Sequence, residues 1–221
     1  MHYYSESEIR DIIESVVTQA GGARTGRRTP ERPIPVEVSA RHVHLSEEDA
    51  KRLFGTSAEL TPKRPLSQPG QFLSEERVSL VGPRGSMENV AVLGPLRGKT
   101  QIELSKSDCV ALGIAAPLRE SGDLEGSGGI TLEGPKGTLS IASGVIIAKR
   151  HIHVPPYIAA LHGFYDKERV SVELFTDRPV VFKDVLLRVS SKFSYRMHID
   201  FDEANAADVK GFTLGRIIRQ R

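Results

Sequence analysis

Ala40-Arg41-His42-Val43-His44-Leu45 and Lys149-Arg150-His151-Ile152-His153-Val154 carry the same chemistry twice in one chain. Each run is entered from an apolar segment, Val36-Glu37-Val38 or Val145-Ile146-Ile147, and is followed by a short helical pattern ending in glycine. Self-similarity of this kind marks a duplicated unit. Outward from the two runs, β-branched stretches bounded by Gly, Pro, Asp or Ser recur at Val78–Val81, Val90–Leu93, Thr100–Leu104, Ile130–Leu132, Gly144–Ala148, Val170–Leu174, Val180–Val189 and Tyr195–Phe201. That is the rhythm of a barrel or sandwich. Helical patches are short: Ser46–Phe54, Lys106–Leu112 and Pro155–His162, stopped by Gly55, Gly113 and Gly163. Glycine and proline number 20 and 13 in 221 residues, above the usual share of about 12%, as a turn-rich β chain requires.

In an extended strand, residues i and i+2 point to one face, about 6.6 Å apart along the backbone, so His42 with His44 can close on a single metal ion. His151 with His153 can do the same. Each half also supplies a later apolar strand with one more ligand, Glu103 in Gln101-Ile102-Glu103-Leu104 and His198 in Met197-His198-Ile199. Three ligands leave one tetrahedral position of zinc open, the mark of a catalytic site rather than a closed structural one. A single His-x-His pair could merely border a turn; the repetition, which engages five of the 7 histidines, argues for metal. Strand alternation turns Arg41 and Arg150 away from the metals, toward surface carboxylates. Arg97 lies on the turn feeding the Glu103 strand, within reach of an anion held beside the first metal. Cys109, the sole cysteine, has no histidine or other base near it in sequence and reads as buried packing.

Composition removes several classes of partner. Thirty basic against 28 acidic residues leave a net charge of +2, too small a field to grip a nucleic acid. No stretch approaches the 18 or more apolar residues of a membrane span. The polar, acidic opening Met1-His2-Tyr3-Tyr4-Ser5-Glu6 is unlike a secretory signal, and one cysteine cannot form an intramolecular disulfide, so a cytosolic chain is expected. Ile9, Ile12, Ile13, Val16, Val17 and Ala20 share one helical face over residues 1–20, with a Ser5/Glu8 capping box and a Gly21-Gly22 stop. Residues 21–32, rich in Gly, Pro and Arg, form a linker long enough that this amphipathic helix need not pack on the body it is tethered to.

The motif set Val38-Ser39-Ala40-Arg41-His42-Val43-His44-Leu45, Gln68-Pro69-Gly70-Gln71-Phe72, Leu93-Gly94-Pro95 through Arg97, and Lys149-Arg150-His151-Ile152-His153 resembles the PduL-type phosphate propanoyltransferases, phosphotransacylases of bacterial microcompartments. The resemblance runs from about Pro33 to Ile218. It implies a mainly β protein of two β-barrels with short capping helices, in which residues 33–40 cross over to join 149–218 as one barrel and 41–148 form the other. The repeat by itself would cut the chain simply in two. It also implies a dinuclear zinc site whose ligands fall on His42, His44, Glu103, His151, His153 and His198, a phosphate-orienting arginine at Arg97, and a segment around Gln68–Gly70 lying over the site. The implied reaction converts acyl-CoA (propanoyl-CoA or acetyl-CoA) and phosphate reversibly into acyl phosphate and coenzyme A. The N-terminal helix resembles the peptides that carry enzymes into the microcompartment lumen by binding shell proteins or co-encapsulated enzymes; self-association or docking on the chain's own barrel are the other uses open to it. A homodimer or larger homo-oligomer is expected.

Two other readings compete. A cupin-type metalloenzyme would use His42, His44 and Glu48, but Ser46–Asp49 looks like a helix start that turns Glu48 to solvent. A non-catalytic zinc-binding scaffold would need four protein ligands per ion, and each half offers three.

Overall fold

Residues 33–55 and 59–218 are described by a computed structural model of the chain. The expected N-terminal helix and linker lie outside the described residues. Fourteen strands and four helices occur among those described: β1 (Ile34–Val38), β2 (His42–His44), α1 (Glu47–Phe54), β3 (Pro62–Pro65), β4 (Phe72–Gly82), β5 (Gly85–Gly94), β6 (Gln101–Glu103) and α2 (Lys106–Leu112) come first. Then follow β7 (Leu118–Arg119), β8 (Gly128–Glu133), β9 (Thr138–Ala148), β10 (His151–Val154), α3 (Pro156–His162), β11 (Arg169–Leu174), β12 (Val181–Val189), β13 (Arg196–Ile199), α4 (Phe201–Ala206) and β14 (Thr213–Ile218).

Two six-stranded rings close. In one, β1, β13, β10, β12, β11 and β14 pair in that order and return to β1. In the other, β2, β5, β4, β8, β9 and β6 do so, with β3 added outside β4 and β7 outside β9. Strand directions repeat as well. β2 runs parallel to β5 and antiparallel to β6, as β10 does to β12 and β13. β6 is parallel to β9 and β13 to β1, so β9 and β1 hold equivalent places. Each of these strands then leaves its own barrel to become the His-pair strand of the other. The exchange is reciprocal, and a plain cut into two consecutive halves does not describe the sheets.

Each barrel buries its own core. Val36, Ile152, Val172, Leu187 and Met197 belong to one, and Val43, Leu80, Val92, Ile102 and Leu132 to the other. Because Val43 and Ile152 are fully buried in those cores, the period of two forces His42, His44, His151 and His153 onto the barrels' outer faces. Ile146 and Leu186 are likewise buried but lie between residues of the cores, on outward positions.

The two expected helices after the His pairs, and that of Lys106–Leu112, form with their glycine stops. The sequence pattern carries the strand at Tyr195 on to Phe201, whereas β13 ends at Ile199. Asp200 is instead the N-cap of α4, its carboxylate accepting from the Glu203 N–H while Glu203 reaches back to the Asp200 N–H. The signal, Asp-x-x-Glu, is present in the sequence but is masked by the exposed aromatic Phe201. α2 has the matching box of Ser105 and Asp108. β3 had no signal: all four of its residues are exposed, two are prolines, and it is an edge strand.

The duplication extends to the helix starts. Arg41 pairs with Asp108 at 2.8 Å, and Arg150 with Glu203 at 2.6 Å. Both partners are capping-box acids. The sequence reading places them on the surface, but Asp108 is buried, because the same carboxylate must also sit over the helix's first turn. The Ser107 N–H of α2 donates to the Asp202 carboxylate of α4 at 2.8 Å, joining the two barrels at these equivalent ends.

Candidate metal centre

His42 and Glu103 face each other across the antiparallel β2–β6 pair, and His151 and His198 across β10–β13. Each first histidine is oriented in the same way. His42 Nδ1 is 2.7 Å from the Ala40 carbonyl and His151 Nδ1 is 2.8 Å from the Lys149 carbonyl. An Nδ1–H held by a carbonyl leaves Nε2 as the free lone pair of the ring. The turn between the exchanged strand and the His strand supplies that carbonyl, so the backbone crossover sets both tautomers.

In each triad one nitrogen or oxygen from every residue falls within 4.8 Å of the others: His42, His44 and Glu103 in one, His151, His153 and His198 in the second. His44 Nδ1 and His153 Nδ1 are buried and have no hydrogen-bond partner among the described residues. An orphaned buried ring nitrogen costs free energy unless something binds it. These two equivalent atoms, beside two equivalent free Nε2 positions, fit metal cations. The donor sets, His₂Glu and His₃, suit zinc with a coordination position left open.

Electrostatics favour ligand protonation states. Burial, followed by the charges of His151 and His198, holds His153 down at about 2; burial, then His151, holds His198 at about 3. Burial opposes a charge on Glu103, but His42, His44 and the Ser121 hydroxyl outweigh it and keep its carboxyl at about 2. Neutral imidazoles and an ionised carboxylate are the states that bind a cation. Support comes from a second layer. Gln101 Nε2 donates to Glu103 Oε1 at 2.6 Å and to Ser121 Oγ at 2.8 Å, and Arg97 Nη1 donates to the same Ser121 Oγ at 3.3 Å. On the other triad, Glu37 Oε2 lies 3.7 Å from His198 Nδ1, and Gln68 Nε2 lies 3.3 Å from His198 Nε2.

Both triads line one cavity of about 610 Å³ between the barrels. Arg97 lines it too, its backbone N–H held at 2.8 Å by the Leu45 carbonyl at the end of the first His run. Gln68 enters the cavity from the β3–β4 connection and is anchored to the opposite barrel, accepting from the Ser194 N–H at 3.0 Å. Glu48 is exposed and pairs with Arg52, taking no part in either triad, which removes the cupin ligand set. Cys109 is fully buried in the second core. Sequence reasoning missed Arg188, Glu37 and Ser121. Only strand register shows that Arg188 stands beside His153 and Glu37 beside His198.

Fold and site together define a class: two interlocked β-barrels, each presenting a three-residue cluster that could hold a metal ion to a shared cavity. Comparison with known proteins gives the particular family. Residues 35–210 match the phosphate propanoyltransferase family model. Proteins named phosphate propanoyltransferase from Alkaliphilus metalliredigens and Listeria monocytogenes are both 46% identical to this chain, over 97% of it and 99% of the first, and over 95% of it and 97% of the second. One from Thermotoga maritima is 53% identical over 79% of this chain and 83% of its own length. The chain belongs to the phosphate propanoyltransferase family.

Proposed function

We propose that this protein is a zinc-dependent phosphotransacylase that interconverts acyl-CoA plus phosphate with acyl phosphate plus coenzyme A. Propanoyl and acetyl groups, which differ by one methylene worth about 1–3 kcal/mol in a pocket, are its acyl substrates. The observation that carries the reading is the convergence of two metal-fitting triads and an arginine on one cavity, in a chain of this family.

His42, His44 and Glu103 are assigned to one zinc, and His151, His153 and His198 to the other. When bound there, zinc would supply positive charge that offsets the negative charge of a thiolate and of phosphate during the transfer. The protein's own groups prepare the rest. Arg97, which among the described residues forms no ion pair with a carboxylate and has only a serine hydroxyl on its fork, is available for a bidentate grip on phosphate. In the forward direction a phosphate oxygen bonds to the acyl carbon, the C–S bond breaks, and the electron pair leaves on sulfur as thiolate. No acyl-enzyme is needed, since the only thiol of the chain lies inside a barrel core. Ala40 and Lys149 carbonyls hold the imidazole tautomers throughout, and Gln68 covers the cavity from the β3–β4 connection, which limits hydrolysis of the acyl phosphate.

Residues 1–20 are read as an address to the microcompartment lumen, and the chain as a homodimer or larger assembly. Among the described residues, no helix is long and apolar enough to cross a membrane. Phosphate-dependent consumption of propanoyl-CoA and acetyl-CoA, with acyl phosphate and free thiol appearing together, is expected; it ceases on chelation and returns with zinc. Thiol release without acyl phosphate would overturn the reaction, and activity indifferent to thorough chelation would overturn the metal.

A further inference from the structure

Arg188, like Arg41, Arg64 and Arg97, lines the cavity. It stands on β12 beside His153 in the parallel β10–β12 register, on the same outward face. Its guanidinium lies over the Phe193 ring, 5.7 Å from the centroid, and that ring stacks on the His153 imidazole at 3.9 Å. His153, Phe193 and Arg188 therefore form one packed group, and the arginine's position is tied to the second triad.

Among the described residues no carboxylate pairs with Arg188. Arg169, Arg150 and Arg216, which also serve the first barrel, all have acidic partners. Half-buried, Arg188 has only the longer-range field of Glu120, and its charge acts unfavourably on Arg97, which the buried Glu103 in turn favours. Two guanidinium groups turned toward one cavity without an ion-pair contact repel one another, which a multiply charged anion between them would relieve. The two arginines are not copies of one another in the duplication. Arg97 follows β5 on a turn, whereas the β5 residue that corresponds to Arg188 is the apolar Leu93. An arginine therefore stands by each triad, Arg97 acting on His44 and Arg188 on His153, but from positions that the duplication does not relate.

We propose that Arg188 is a phosphate-binding residue: together with Arg97 it grips inorganic phosphate, or the phosphoryl group of the acyl phosphate, on the His151-His153-His198 side, with Phe193 positioning its fork. This rests on the phosphotransacylase reading above. The phosphates of coenzyme A offer the same oxyanion chemistry. The register of Arg188 beside a triad member, where the transferred groups meet, favours the reacting phosphate.

The test uses the full-length, zinc-loaded protein and the variants Arg188→Gln and Arg188→Lys. Expected for Arg188→Gln is a rise of about tenfold or more in the KM for phosphate, and for acyl phosphate in reverse, with the KM for acyl-CoA changed by less than about twofold. Zinc content stays at the wild-type value, and orthophosphate no longer raises the melting temperature as it does in wild type. Arg188→Lys, which keeps the charge but loses the fork, falls between the two. If Arg188→Gln instead raises the KM for acyl-CoA and coenzyme A, the guanidinium serves the nucleotide phosphates and the proposal is overturned. Unchanged phosphate KM and unchanged phosphate stabilisation in both variants also overturn it. Failure of the wild-type enzyme to form acyl phosphate would refute the reaction itself, which separates the two failures. Should Arg188→Gln not fold, Arg188→Lys decides by the same phosphate-specific shift.

Discussion

At the scale of single residues, the two histidines of each pair differ in role. His42 and His151 spend Nδ1 on a backbone carbonyl, while His44 and His153 keep a buried Nδ1 with no hydrogen bond. Deleting an unpartnered ligand should therefore remove a metal without unlocking the strand. His153→Ala is expected to lower zinc from two ions per chain to one, and His44→Ala to do the same at the other triad; elemental analysis of the purified variants checks this, and retention of both ions would contradict the assignment. Arg97 and Cys109 give a sharper contrast. Arg97→Ala should raise the KM for phosphate by about tenfold or more while leaving that for acyl-CoA near wild type. Cys109→Ser, a change inside the second core, should keep the phosphate KM and kcat while costing about 1 kcal/mol in stability. Equal catalytic loss in both variants would point to a thiol step. The residues themselves were legible because His-x-His occurs twice; Arg188 was not, because an arginine in a β-branched run carries no motif until its strand neighbour is known.

Secondary-structure elements carry a second layer of the duplication. α2 and α4 begin with capping boxes whose acids, Asp108 and Glu203, also hold Arg41 and Arg150, the residues just ahead of the His pairs. One carboxylate thus fixes a helix start and the entry to a His-pair strand. Asp108→Ala leaves the Ser105 cap in place but removes the reciprocal hydrogen bond of the capping box and the buried partner of the Arg41 guanidinium, so a loss of about 1–3 kcal/mol is expected in denaturant unfolding. Asp108→Asn, which can still accept that hydrogen bond, should recover part of it. A change below a few tenths would show that the ion pair and cap are incidental. Three helices were readable from glycine stops and caps. The fourth was not, because Phe201 continues an apolar strand pattern although it is exposed in the fold.

The whole molecule responds to pH and to truncation. In the metal-free protein His153 is held at about 2 and His198 at about 3, first by burial, against about 6.5 for a free histidine. Between those values the unfolded chain binds protons that the folded chain refuses. Stability from these residues is therefore complete above about pH 6.5 and is lost progressively as pH falls toward the folded values. The denaturation midpoint of chelator-treated protein should drop between about pH 7.5 and about pH 5; a flat profile would mean the imidazoles are solvated. Deleting residues 1–32 tests the address. An active, equally stable enzyme that no longer enters shells is expected, whereas a lower melting temperature would mean the segment docks on the barrels.

Sequence alone determined most of the local facts: the β-branched strands apart from the edge strand β3, where three helices stop, and the repeat of two similar candidate ligand sets, because side-chain periodicity, capping and repeated residue types are written along the chain. Tertiary structure decided what those sets do together. Closure of β1 and β9 into each other's barrels turns the outward faces of both His strands onto one cavity and brings Arg97, Arg188, Glu37 and Gln68 to it from four separate segments. Strand pairing is a long-range choice made by burial of whole faces, and residues that meet only through it leave no pattern in their own neighbourhood.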